Sequence, residues 1–105
     1  MKGQARAHEA TRRDLEAERA SALARATERL EAALLELSAA VASCAAAPTR
    51  AALEHRREAL AHAGERLWYL VIQREVLGLY RHEAVYEVLR VPREVRAAMG
   101  PRPAR

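Results

Sequence analysis

The stretch "CAAAPTRAAL", Cys44 to Leu53, sets how the chain folds. Proline has no amide proton and disfavours helical geometry in the residue before it, so Pro48 ends whatever helix reaches Ala47. Thr49 follows at once, and its hydroxyl suits it to cap a new helix starting at Arg50. A connection this short leaves the two helices no room to diverge. They must fold back on each other as an antiparallel hairpin.

Upstream of the break, Glu9 to Cys44 contains no Gly or Pro and is dominated by Ala, Leu, Glu and Arg, all strong helix formers. Leu23, Leu30, Leu37 and Cys44 recur every seven residues, with Ala26, Ala33 and Ala40 three places after the first three. That spacing is an a/d heptad seam of the coiled-coil kind, extended backward by Leu15 and Ala22 and widened by Leu34 and Val41. At about 1.5 Å per residue the helix would be on the order of 50 Å long. Downstream, a second helix is expected over 50–77, with Leu53, Leu60, Leu67 and Val71 on one stripe and Gly78 as its stop.

Beyond Gly78, "RHEAVYEVLRV" predicts a short helix over 82–89, and Pro92 opens another over 92–99 that Gly100 ends. Residues 1–8 are expected to be disordered and 101–105 frayed. The fold expected is therefore all-α: one domain over 9–100, built as a long antiparallel helical hairpin capped by two short C-terminal helices. No strand pattern or internal repeat is present.

Composition limits how such a fold is stabilised. The chain has 105 residues, with 25 Ala against 21 Leu, Ile and Val together, and no Phe. Alanine buries little area, and apolar burial is worth only about 25 cal/mol per Å², so the core is thin. Self-association into a dimer through the Ala/Leu seam is the expected remedy.

The net charge is +4, carried by one Lys and 17 Arg against 14 acidic residues, and the excess is concentrated after Leu79. A basic C-terminal segment allows an anionic partner. Cys44 is the only cysteine, which excludes an intrachain disulfide framework and a cysteine-based metal site. Charges interrupt every apolar window and the N-terminus lacks a secretory pattern, so a cytoplasmic protein with no membrane association is expected.

Candidate chemistry is sparse. His55, Glu58, His62 and Glu65 share one side of the second helix, yet His55 and His62 lie two turns, roughly 10 Å, apart. One ion cannot bridge those two alone, and the stripe reads as a solvated face. Cys44 falls at a seam position near the hairpin tip, where a small buried hydrophobe explains it and a reactive thiol is the alternative. No glycine-rich phosphate loop or nucleophilic triad is present, so neither enzyme activity nor a cofactor or metal is expected. The tail has the outline of a helix-turn-helix, with Arg90, Arg93, Arg96 and Arg102 as candidate nucleic-acid contacts. A recognition helix needs more length than "PREVRAAM" offers.

One further stretch, "LWYLVIQREVLGLY" from Leu67 to Tyr80, interrupts an apolar run with Gln73, Arg74 and Glu75. At about 100° per residue, Arg74 and Gly78 fall on the Leu67 and Val71 stripe, Glu75 lies just beside it, and Gln73 points away with Tyr69 and His62. Arg74 is expected either to bond carbonyls or pair with Glu83, Glu87 or Glu94 and so fix the short helices, or to line a polar pocket walled by Trp68. The segment from Trp68 to Gly100, through Gln73-Arg74-Glu75, Gly78-Leu79, His82, Val85, Pro92 and Glu94-Val95, resembles a family of short bacterial proteins of unknown function. The resemblance implies no activity, cofactor or substrate, and it marks Gln73, Arg74, Glu75 and the Pro92 turn as positions to watch; with Trp68 and Gly78 these are the candidate structural or interaction residues. The expected function is that of a small interaction or structural protein without catalysis, acting through helix-on-helix contacts and self-association. Nucleic-acid binding through the basic tail is the second reading.

Overall fold

The computed structural model describes residues 2–102. Four helices follow in chain order: α1 (Lys2–Ala46), α2 (Arg50–Val76), α3 (Glu83–Val88) and α4 (Arg93–Ala97). The hairpin turns where Pro48 and Thr49 require it. Thr49 is extended and its hydroxyl accepts the Ala52 amide at 3.1 Å, satisfying one of the free donors of the first turn of α2.

The core is the heptad seam of α1 laid on α2. Ala26, Leu30, Ala33, Leu37, Ala40 and Cys44 are all buried, and α2 buries Ala59, Ala63, Leu67, Leu70 and Val71 as the two helices pack together. The seam expected to hold a second copy is thus filled from within the chain. On α2 the buried stripe differs from the expected one at its start: Leu53 is exposed and Leu60 only partly covered, while Ala59 and Ala63 take the inward positions. Small side chains there let the two helices approach closely, at the cost of buried area. The largest fully buried side chains are Leu30, Leu67, Leu70 and Val95.

The chain then caps the hairpin. The turns after α2 and α3 end in the same way, with a left-handed residue after the last turn and two amides returned to the carbonyls three and five residues earlier. After α2 the left-handed residue is Gly78 (φ 81°), with Gly78 bonded to Glu75 and Leu79 to Arg74 at 2.9 Å each. After α3 it is Arg90 (φ 52°), with Arg90 bonded to Glu87 at 3.2 Å and Val91 to Tyr86 at 2.9 Å. Val91 and Val95 then enter the core, joined by the partly buried Val85, Tyr86 and Leu89.

Two terminal expectations change. α1 begins at Lys2, so residues 2–8 are helical where disorder was expected over 1–8, and Met1 lies outside the described residues. Their composition explains this, because Gly3 is the one poor helix former there and Glu9 pairs with Arg12 at 3.3 Å and Arg13 at 3.8 Å one turn on. α4 is only five residues long, and Pro92 (φ −62°, ψ 151°) stands before it as its cap, one position earlier than the first helical turn. Of the tail expected to fray, Arg102 is tied to Glu65, and 103–105 lie outside the described residues.

α1 is far longer than its partner. α2 ends after 27 residues against 45 for α1, and every described residue from Lys2 to Ser21 is exposed. The radius of gyration is 18.3 Å, against about 13 Å for a compact chain of this length. A helical arm of about 30 Å therefore projects past the end of α2.

Candidate functional site

The three polar residues at the end of α2 go to three different places. Arg74 donates from Nε to His82 Nδ1 at 3.2 Å and from Nη2 to the Arg81 carbonyl oxygen at 2.9 Å. It closes the connection onto α2 and makes no hydrogen bond or ion pair with Glu83, Glu87 or Glu94, because the left-handed turn at Gly78 brings 81–82 back under it first. Glu75 is exposed. Gln73 lines a groove on the other side of the helix. Helical phase had separated the triplet in this way.

The groove that Arg74 lines does not include Trp68. Trp68 is partly buried and leans on Tyr69, with ring centroids 5.2 Å apart and planes tilted by 46°. The groove beside Arg74, about 260 Å³, is walled mainly by apolar Leu23, Leu70, Ala84, Val85, Val88 and Leu89, with Thr27 the other polar side chain. At about 100° per residue, Trp68 and Leu70 point about 200° apart around the helix, so they cannot share that wall.

A larger open groove of about 430 Å³ runs between α1 and the last turns of α2. Arg25 and Arg29 line it from α1, and Glu65, Arg66, Tyr69 and Gln73 from α2. The Arg66 guanidinium lies 5.7 Å from the centre of the Tyr69 ring, a cation–π distance. Glu65 is held by Arg102, whose amide donates to Oε2 at 3.3 Å and whose Nε stands 3.8 Å from Oε1. Little in the sequence announces this groove, since arginines spaced by four on an Arg-rich helix look like ordinary surface.

The four basic tail residues are dispersed. Arg90 sits in a left-handed turn beside Leu34 and Val41, Arg93 is exposed, Arg96 stacks 5.4 Å from the Tyr86 ring, and Arg102 binds Glu65 near His55 and His62. α4, at five residues, is too short to lie along a major groove and present several side chains. His55, Glu58 and His62 share a shallow groove with Glu36 and Arg102, and no group of three or more potential ligands converges on one point among the described residues. Cys44 is buried, as its seam position implied.

Gly64 is the position that sequence reasoning passed over. A Cβ built there would stand 2.7 Å from the carbonyl carbon of Ala98 and closer still to its oxygen. α4 therefore rests on a bare patch of α2, and a lone glycine inside a long helical run was the available signal.

A family model matches residues 3–105, taking in the Ala-rich first helix as well as the C-terminal half. The chain belongs to DUF6665, a family of unknown function. The architecture described above is thus that of a DUF6665 member along almost its whole length. No curated protein and no solved structure matches it. No helix among the described residues is long and apolar enough to cross a membrane.

Proposed function

We propose that this protein is a non-catalytic, self-associating interaction protein of the bacterial cytoplasm, and that the projecting arm of α1 is the element that pairs. The observation that carries this reading is the unbroken exposure of Lys2 to Ser21 in a helix whose remaining length is packed. Most helical stability in proteins comes from packing one face against a partner, and this segment has none among the described residues.

Charge favours a second copy as that partner. Lys2, Arg6, Arg12 and Arg13 stand against only Glu9, after which Asp14, Glu16 and Glu18 stand against only Arg19. Two arms running antiparallel lay each basic half on the other's acidic half, in an isologous two-fold contact of coiled-coil type. At the base of the arm, Ile72 and Val76 sit one turn apart on the end of α2, and with Leu79 and Tyr80 beyond them they supply exposed apolar surface to the same contact. The Ala/Leu seam is spent on α2, so the dimer proposed uses the arm instead.

The test is sedimentation equilibrium over a wide concentration range, at low and high salt. A dimer that weakens with salt and is abolished by Arg6→Glu with Arg13→Glu supports the reading. A monomer at about 100 μM and low salt rules it out, since an association weaker than that is worth under about 5.5 kcal/mol.

A further inference from the structure

We propose that the groove formed by Arg25, Arg29 and Arg66 binds a small anion carrying at least two phosphoryl groups. Two helices converge to place three guanidiniums around one opening. Arg25 and Arg29 are one turn apart on α1, and Arg66 faces them from α2.

None of the three has a carboxylate within ion-pair distance among the described residues, including Glu28, which lies three places from Arg25 on the same helix. The acid that does line the groove, Glu65, is already engaged by Arg102. The groove therefore presents an uncompensated positive charge.

The donors fit phosphate better than a single carboxylate. A guanidinium offers parallel N–H groups that match the oxygen spacing of a phosphoryl group, and three of them exceed what one carboxylate can accept. Tyr69 and Gln73, which also line the groove, carry a hydroxyl and an amide as neutral donors. A volume of about 430 Å³ lies within the range of small-molecule sites and exceeds what one phosphate fills. Tyr69, with Arg66 stacked on its ring, gives the anion's organic portion an aromatic surface.

The test titrates the full chain with inorganic pyrophosphate, following melting temperature and Trp68 fluorescence, because Trp68 touches Tyr69. Sodium chloride at matched ionic strength is the control. Pyrophosphate should give a saturable rise in melting temperature that chloride does not, since a ligand bound only by the folded chain stabilises it by mass action. Arg25→Gln with Arg66→Gln should weaken pyrophosphate by about 100-fold, tenfold for each guanidinium removed. Arg25 is exposed and Arg66 half-buried, so the variant should keep the parent's helicity, with unliganded melting lowered by no more than the Arg66–Tyr69 contact contributes. An equal shift with chloride, or an undiminished response in the double variant, overturns the proposal. So does a short single-stranded oligonucleotide that binds where pyrophosphate does not, because the ligand would then be a nucleic-acid backbone. Pairing of the arms is read separately by sedimentation, so that this site and the self-association stand or fall apart.

Discussion

Replacing Gly64 with Ala tests the packing of the cap through a single methyl group. Two effects oppose each other. Alanine in a helix interior is favoured over glycine by about 1 kcal/mol, which stabilises α2. The new Cβ, however, would stand 2.7 Å from the carbonyl carbon and 3.0 Å from the Cβ of Ala98, and a backbone carbonyl cannot rotate aside as a long side chain can. α4 must move outward, and it carries Val95, which is fully buried, and follows Val91, 6% exposed. Full burial of each valine is worth about 1.5–3 kcal/mol, so complete undocking forfeits about 3–6 kcal/mol. A partial shift costs about 1–3 kcal/mol, as overpacking usually does. The steric effect is the larger, and a net loss of about 1–3 kcal/mol is expected. For a domain of this size each kcal/mol lowers the melting temperature by about 4–8 °C. Circular dichroism gives the melting temperature, and exchange of the Val95 amide reports whether α4 has lifted. A double variant sharpens the result. Val95→Ala alone removes about two methylene equivalents, worth about 1.6 kcal/mol, but should cost little once Gly64→Ala has displaced α4. A Gly64→Ala protein that melts higher than the parent would show that propensity governs this position and that α4 does not rest on it.

The two left-handed turns predict changes of opposite sign. Gly78→Ala should destabilise by about 1–2 kcal/mol, because a side chain is added at φ 81°, whereas Arg90→Gly should gain up to about 1 kcal/mol by relieving the same strain at φ 52°. Equal melting temperatures for both variants would argue against the turn geometry. Arg74→Met keeps the stem packed beside Leu70 and Val85 and removes the bonds to the Arg81 carbonyl and His82 Nδ1. A loss of about 1–2 kcal/mol by chemical denaturation is expected, discounted for partial exposure, with most of it shared by His82→Ala in a double-mutant cycle. Full additivity of the two would dissolve the pairing. Cys44, 4% exposed, should react with a thiol reagent only under denaturing conditions, and immediate stoichiometric labelling of the native chain would place it at the surface.

How far the chain could be read residue by residue varied with the range of the interaction involved. The hairpin was legible because Pro48 and Thr49 act on their immediate neighbours, and the α1 seam because a seven-residue period keeps one face turned toward a partner whatever that partner is. Helical phase likewise separated Gln73, Arg74 and Glu75, and Gly78 ended α2 for reasons internal to its own turn. The identity of the seam's partner was not legible, since a heptad states what it needs and not which helix supplies it. Arg74's acceptors also depended on tertiary structure, because they come from a connection whose return path the turn at Gly78 sets. The alanines Ala59 and Ala63 displaced Leu53 and Leu60 from the buried stripe because close helix approach, and not side-chain hydrophobicity alone, selects the inward positions.

Four helices, their order, the hairpin turn and the thinness of the core all follow from local backbone preference and from composition. Three-dimensional packing was needed to establish that the seam is satisfied within the chain, that Lys2 to Ser21 of α1 outrun their partner, and that Gly64 admits α4. The same holds for the meeting of Arg25, Arg29 and Arg66 around one groove. The physical reason is common to all four: each depends on the distance between residues far apart along the chain, and local periodicity carries no measure of that distance.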